Sequence, residues 1–429
     1  MSGAESGSAA EPPPGAPALG LFAGYGVELE YMVVDGATLA VRPIADALLA
    51  AAGDGTIVSD VDHDGFSWSN ELVLHVVELK TDGPAPALAG LARGFQGEVA
   101  AADRLLAPLG ARLMPTAMHP WMDPDAETRL WPHDHSPVYA AFDRIFGCRG
   151  HGWANLQSMH LNLPFAGDEE FARLHAAIRL LLPLLPALAA SSPVVDGRPS
   201  GLLDTRLEVY RKNSRRIPLV AGRVIPEPVY TRGAYESEIL DALYREIAPH
   251  DPEGVLREEW LNARGAIARF ERSTIEIRVI DVQEHPAADL AIAVLAVAAL
   301  RALVAERWVD LERQQRFAVA ALEPLFLAAL ADGEEAVIGD RAYLAAFGLA
   351  AGGRGGRGGL RAGDFWRALA ERLLPAGDEA WGALGVILEE GPLARRILRA
   401  LGPEPDRERL RAVYGELCDC LREGRSFRA

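Results

Sequence analysis

Four stretches of the chain place apolar or β-branched residues at every second position, the period of a half-buried strand: Gly26–Val34, Glu71–Lys80, Gln157–Leu163 and Ser273–Val282. Elsewhere apolar residues recur three and four positions apart, over Ala85–Leu106, Glu169–Ala190, Glu236–Ile247 and Ala287–Glu312, which predicts helices with one core-facing side. Asp168 and Glu169 put negative charge at the start of the second helix, where the helix dipole favours it. Short strands interleaved with long helices and proline-rich loops predict an α+β fold whose strands pair antiparallel in one sheet.

The pattern changes in the last third. Ala350–Leu360 reads AAGGRGGRGGL, too rich in glycine to hold an element, and is expected to be a surface loop or hinge. Its RGG pair raises contact with single-stranded RNA as an option, but a solvated loop fits the acidic surroundings better. Helical patterns then run to the end, broken at Pro375, Pro392 and Pro403–Pro405. The expected division is a flexible tail over 1–19, a main domain over 20–330 and a helical C-terminal region over 331–429. The first twenty residues lack Lys and Arg and fit no signal peptide. The apolar runs Leu180–Val195 and Leu290–Leu300 fall short of the roughly 18 clean apolar residues of a membrane helix.

Composition narrows the function. With 429 residues, 49% hydrophobic and 24% charged, the chain can bury a large core. A formal charge of −17 repels the phosphates of nucleic acid, so an anionic substrate needs a local exception. Three cysteines build no disulfide framework, and Cys418 and Cys420 flank one residue rather than the two of a redox or zinc pair, which suggests reduced thiols in the cytoplasm.

The chemical signal is charge inside strand patterns, where it is costly. Period two puts Glu28 and Glu30 on one face of the first run, about 7 Å apart, where they repel unless a cation or an arginine lies between them. A solvent-facing edge is the plain alternative. In the last run Glu276, Arg278 and Ile280 share a face, and in the third Ser158, His160 and Asn162 do. Glu71 and Glu78 face opposite ways in an unbroken strand, so both reach one site only if Glu71 lies on the entering loop or a bulge intervenes. His75 shares the face of Glu71 and reads as a packing residue or as a support behind the ligands. Five carboxylates and one imidazole suit Mg²⁺ or Mn²⁺ better than zinc, and carboxylate-held divalent ions serve phosphoryl transfer. No GxxxxGK[ST] loop is present. In the basic run Asp204–Arg216, most arginines read as solvated, with Arg206 the candidate for holding phosphate or a substrate carboxylate.

Taken in order, GVELEYMVVD (Gly26–Asp35), NELVLHVVELKT (Asn70–Thr81), the turn Met118-His119-Pro120-Trp121, LQSMHLNLPF (Leu156–Phe165) and TIEIRVIDVQEHP (Thr274–Pro286) resemble the type 2 glutamate–cysteine ligases, relatives of glutamine synthetase in fold. The resemblance implies an antiparallel sheet curved into a funnel and flanked by helices, with ATP at one end and Mg²⁺ or Mn²⁺ lined up inside. Carried over by position, it implies Glu28, Glu30, Glu71, Glu78, His160 and Glu276 as metal ligands, the first two also serving the nucleotide. Arg278 becomes the phosphate contact that acts with Glu276, and Arg206, Tyr139 and His119 become substrate contacts. The implied reaction joins glutamate to cysteine through γ-glutamyl phosphate; another acceptor amine, or a silent protein that binds ATP or an amino acid, are the alternatives. Small-molecule substrates are implied, with no nucleic acid or membrane partner and a homo-oligomer left open. The sequence departs from the family where Thr116-Ala117-Met118 precede His119 in place of a glycine, and where Val138 replaces an arginine before Tyr139.

Overall fold

The computed structural model describes residues 18–350 and 358–429, so the expected tail over 1–19 and the glycine-rich segment over 350–360 lie outside the described residues except at their edges. The main sheet has eight strands: β1 (Gly26–Asp35), β2 (Asp60–His63), β3 (Phe66–Asn70), β4 (Val76–Thr81), β5 (Ala111–Met114), β6 (Ser158–Pro164), β7 (Ala266–Arg269) and β8 (Thr274–Asp281). Their order is β2-β3-β4-β1-β6-β8-β7, every pairing antiparallel. One edge of β1 is shared: its first half pairs with β6 and its last four residues with β5.

Alternation along β1 divides the molecule. Val27, Leu29, Tyr31 and Val33 are fully buried on one face, where they join Val77, Leu79, Met159, Leu161, Ile275 and Ile277. Helices cover that face: α1 (Leu91–Leu106) through Phe95, Val99 and Ala102, α3 (Gly167–Leu181) through Phe171, Leu174 and Ile178, and α5 (Pro286–Val304) through Ile292, Leu295 and Ala299. Two further helices, α2 (Ser136–Phe146) and α4 (Thr205–Asn213), stand beside the opposite face. On that face Glu28 and Glu30 are followed by Met32 and Val34, and the apolar pair is capped by Leu410, Val413, Tyr414 and Leu417 of the C-terminal helix α6 (Arg407–Glu423). The C-terminal helices therefore close the apolar half of the face whose other half is acidic.

Several expectations need correction. Glu71–Lys80 is not one strand: Leu72–Leu74 turn aside to pair with Arg129–Trp131, and β4 begins only at Val76. The first predicted helix starts at Leu91, because Gly90 takes a left-handed φ of 84° just before it. The fourth ends at Val304, followed by Glu306 at a positive φ of 53° and a separate short helix, Leu311–Gln315. Strands β2, β3, β5 and β7 escape a period-two reading because each has four or five residues. Gly167–Ala189 and Pro286–Val304 are, against expectation, long and apolar enough to cross a membrane, yet 89% and 72% of their most apolar windows lie buried within the fold, as in core helices.

Leu417 is fully buried against the β1 face. Leu417→Ala is expected to lower stability by about 2–5 kcal/mol through lost burial and a residual cavity, as read from the midpoint of urea unfolding.

Candidate active site

Antiparallel register gathers the acidic residues. Glu30 stands directly opposite Glu78 on β4, and Glu28 stands opposite Lys80 on β4 and His160 on β6. Asn162 of β6 is opposite both Gly26 and Glu276 of β8. It reaches across to donate its amide to Glu28 Oε1 at 3.0 Å, and a Cβ on Gly26 would sit 2.9 Å from the Asn162 Cβ, so a side chain there would displace the donor. The break before β4 answers the question about Glu71, which lies on the entering loop and lines the same cavity as Glu78.

His160 is the hub. Its Nδ1 lies 2.8 Å from Glu28 Oε2 and 3.7 Å from Glu276 Oε1, and its Nε2 lies 2.9 Å from the Ser158 hydroxyl. Ser158 in turn gives Glu30 Oε2 its backbone N–H at 2.6 Å and its hydroxyl at 3.0 Å. Burial works against a charged His160, but Glu28, Glu30 and Glu276 outweigh it and push the imidazole up to about 9. Burial also works against an ionised Glu28, and the His160 hydrogen bond and charge, with Lys80, overcome it and hold that carboxyl well below the usual range. Glu276 behaves similarly: burial is overcome chiefly by Arg278, whose Nε donates to it, while Arg269 Nη1 donates from 3.3 Å.

Glu71 and Glu78 are less well compensated. Burial and then the Glu30 charge push Glu71 up to about 8, and burial with the Glu28 charge pushes Glu78 well up, despite Ser69 donating at 2.7 Å and Lys80 Nζ lying 3.4 Å away. Lys80 is buried and tied to Asp60 at 2.7 Å.

Two overlapping groups have a donor atom from each member within 4.8 Å of one another: Glu28, His160 and Glu276, and Glu30, Glu78 and His160. Carboxylates that cannot all ionise without added positive charge, with oxygen in the majority, are a donor set that fits hard divalent cations.

A β-bulge shapes the other end. Ile277 is opposite Leu161 but Ile280 is opposite Met159, so Arg278 and Val279 together face His160. The extra residue inverts the alternation, so Ile280, expected on the polar face, joins the core, and Asp281 takes its place opposite Ser158. Arg206 fastens this bulge: its Nε pairs with Asp281 Oδ1, and its Nη1 and Nη2 donate to the Arg278 carbonyl at 3.2 and 3.3 Å. The far carboxylate oxygen of Asp281 accepts from Ser191 N–H at 2.8 Å and the Ser192 hydroxyl at 2.9 Å. Arg206 lines the cavity as expected of a substrate contact, but its fork is engaged with protein oxygens.

The cavity has a volume of about 290 Å³. Its floor is the charged sheet, and its opposite side is formed by Tyr139 and Phe142 of α2, Trp153, Trp260, and Arg206, Tyr210 and Asn213, which share one side of α4 by their spacing of four and three. Tyr139 belongs here as expected, its hydroxyl accepting from Asn70 Nδ2 at 3.0 Å. His119 does not: it is fully buried away from the cavity lining, bonded through Nε2 to the Leu39 carbonyl at 2.8 Å, and burial drives its pKa down to about 3. It anchors the Met118–Trp121 turn, whose Trp121 packs on Tyr414. His75 is the packing residue expected, 2.8 Å from the Ala154 carbonyl. Lys80 was detectable, two residues beyond Glu78 on the same face; Arg269 sits in a four-residue strand, and the aromatic residues carry no local pattern.

The model of the family described as Glutamate-cysteine ligase family 2 (GCS2) matches residues 25–416. An uncharacterized protein of Archaeoglobus fulgidus is 37% identical over 269 residues, 62% of this chain and 72% of its own length. A Rubrobacter xylanophilus protein provisionally named glutamate–cysteine ligase 2-3 is 32% identical over 185 residues, 43% of this chain and 47% of its own length, so the match spans under half of that relative. Among solved structures, a glutamate–cysteine ligase of Francisella tularensis in complex with AMP superposes with a TM-score of 0.57 at 12% identity, over 94% of this chain and 89% of that one. A bifunctional glutathione synthetase of Pasteurella multocida gives 0.55 at 12% identity, over 92% of this chain and 52% of that one. At such identities the likeness is one of fold.

Arg206→Met leaves Asp281 buried without its cation and is expected to cost about 3–5 kcal/mol in urea unfolding, whereas Arg206→Met combined with Asp281→Leu recovers most of the loss. Equal losses in both variants would show that the pair does not hold the bulge.

Proposed function

This chain belongs to glutamate–cysteine ligase family 2, and from that premise we propose that it activates a carboxylic acid with ATP and transfers the acyl group to an amine, with glutamate as the first donor to test. The observation that carries this reading is the convergence of Glu28, Glu30, Glu78 and Glu276 around His160, with Arg278 beside them at the bulge.

In the first step a carboxylate oxygen of the donor bonds to the γ-phosphorus of ATP while the bond from that phosphorus to the ADP oxygen breaks. In the second, the amine nitrogen bonds to the acyl carbon, the carbon–oxygen bond to phosphate breaks, and the amine gives up a proton. A free carboxylate acylates poorly, and the mixed anhydride supplies the leaving group it lacks. Glu28, His160 and Glu276, and Glu30, Glu78 and His160, are the residues that would hold Mg²⁺ or Mn²⁺; such ions neutralise triphosphate charge and align its oxygens. The Arg278 guanidinium, with Nη groups beyond the Nε that binds Glu276, suits the oxygens of the transferred phosphoryl group. Its bulged backbone, held by Arg206, keeps it in place without reorganisation.

Cysteine as the acceptor is supported by the name of the Rubrobacter relative. A different amine is favoured by the aromatic side of the cavity.

Purified protein with ATP, Mg²⁺, glutamate and an amine is expected to release phosphate only when all four are present. Glu28→Gln and Glu276→Gln should each lower turnover by about 10²-fold or more, the upper scale seen even for partners of metal ligands, with the unfolding transition retained. Binding of Mg-ATP by calorimetry without turnover for any acid and amine pair would point instead to a nucleotide-binding regulator.

A further inference from the structure

Opposite the carboxylates, Phe142, Trp153 and Trp260 form one continuous aromatic wall, with ring centroids 5.3 and 5.8 Å apart along the series Trp153–Phe142–Trp260. These three side chains are only partly buried, so the wall leaves ring surface open to a ligand. Each of the three guanidiniums in the lining already meets a protein carboxylate: Arg206 with Asp281, and Arg269 and Arg278 with Glu276. Asn213 adds an acceptor, since its Nδ2 is spent on the Gly152 carbonyl while its Oδ1 has no partner.

From this combination we infer that the acceptor is a primary amine with an apolar, ring-bearing body and no carboxylate, and that Phe142, Trp153 and Trp260 select it. The inference rests on the ligase reading above. An α-amino acid acceptor brings a carboxylate for which this lining keeps no uncommitted arginine once Arg278 serves the phosphoryl group. An alkylammonium is drawn by the ring faces, and its N–H groups match the open Asn213 oxygen. The adenine base is also flat, but it is neutral and gains less from the ring faces than an ammonium does. After the ammonium loses a proton, its nitrogen bonds to the acyl carbon and phosphate leaves, as in the reaction already balanced.

The test is phosphate release by the full chain with Mg-ATP and glutamate across cysteine, glycine, butylamine, tyramine and 2-phenylethylamine. The two ring-bearing amines should give the highest kcat/KM, and Trp260→Ala and Phe142→Leu should each raise their KM by about tenfold or more while the KM for ATP moves by less than about threefold. Trp260→Phe should restore much of the loss. Preference for cysteine or glycine overturns the inference, as does a rise confined to the KM for ATP, which would assign the wall to the base. Phosphate release with none of the amines, from protein that still binds Mg-ATP, would fault the ligase reading itself rather than the choice of acceptor.

Discussion

Carboxylates set on one face of a pleated sheet are forced to within a strand spacing of one another, and their repulsion is the constraint to which the rest of the site responds. Glu30 and Glu78 are direct cross-strand partners, and Glu28 lies two residues from Glu30. His160, Lys80, Arg269 and Arg278 offset part of this charge, and they do so unevenly. Glu28 and Glu276 are held ionised, while Glu71 and Glu78 are left as carboxyls that favour a proton. On the proposed reading, divalent cations would relieve that imbalance, and a nucleotide whose phosphates share those cations would gain a site with little left to reorganise.

Holding such a face open requires rigid surroundings. The buried Arg206–Asp281 pair is fixed by Ser191 and Ser192 on one side and by the Arg278 carbonyl on the other, so the Arg278 side chain projects from a bulge whose backbone N–H and carbonyl are both bonded. A buried ion pair of this kind contributes little net stability but penalises every arrangement that breaks it. The C-terminal helices act at the other boundary. They cover Met32 and Val34 and stop where β1 becomes acidic, so a single strand is packed core at one end and cavity floor at the other.

Family membership places the chain among the carboxylate–amine ligases, and the residues proposed to carry that reaction lie on the central strands. The aromatic side of the cavity comes from elsewhere: α2, the short turn His151–Ala154 and the helical turn Glu259–Leu261. On the proposed reading, acyl activation and acceptor choice fall to separate parts of the chain, so that substitutions in the peripheral segments would alter the amine and spare the phosphoryl chemistry.

The sequence by itself determined the α+β class, four of the central strands, the shared face of Glu28 and Glu30, and the grouping of Ser158, His160 and Asn162. These follow from strand periodicity, a property of consecutive residues. It also carried the family resemblance, because the motifs lie on those strands. Tertiary structure decided the rest. Whether Glu71 and Glu78 meet depended on Leu72–Leu74 pairing with Arg129–Trp131, a contact nearly sixty residues distant in the chain. The exchange of Ile280 for Asp281 depended on a bulge set by the partner strand, and the roles of Arg206 and His119 depended on what packs around them. The aromatic wall, drawn from three separated segments, had no local signature, since rings in different loops become neighbours only when the chain between them folds back.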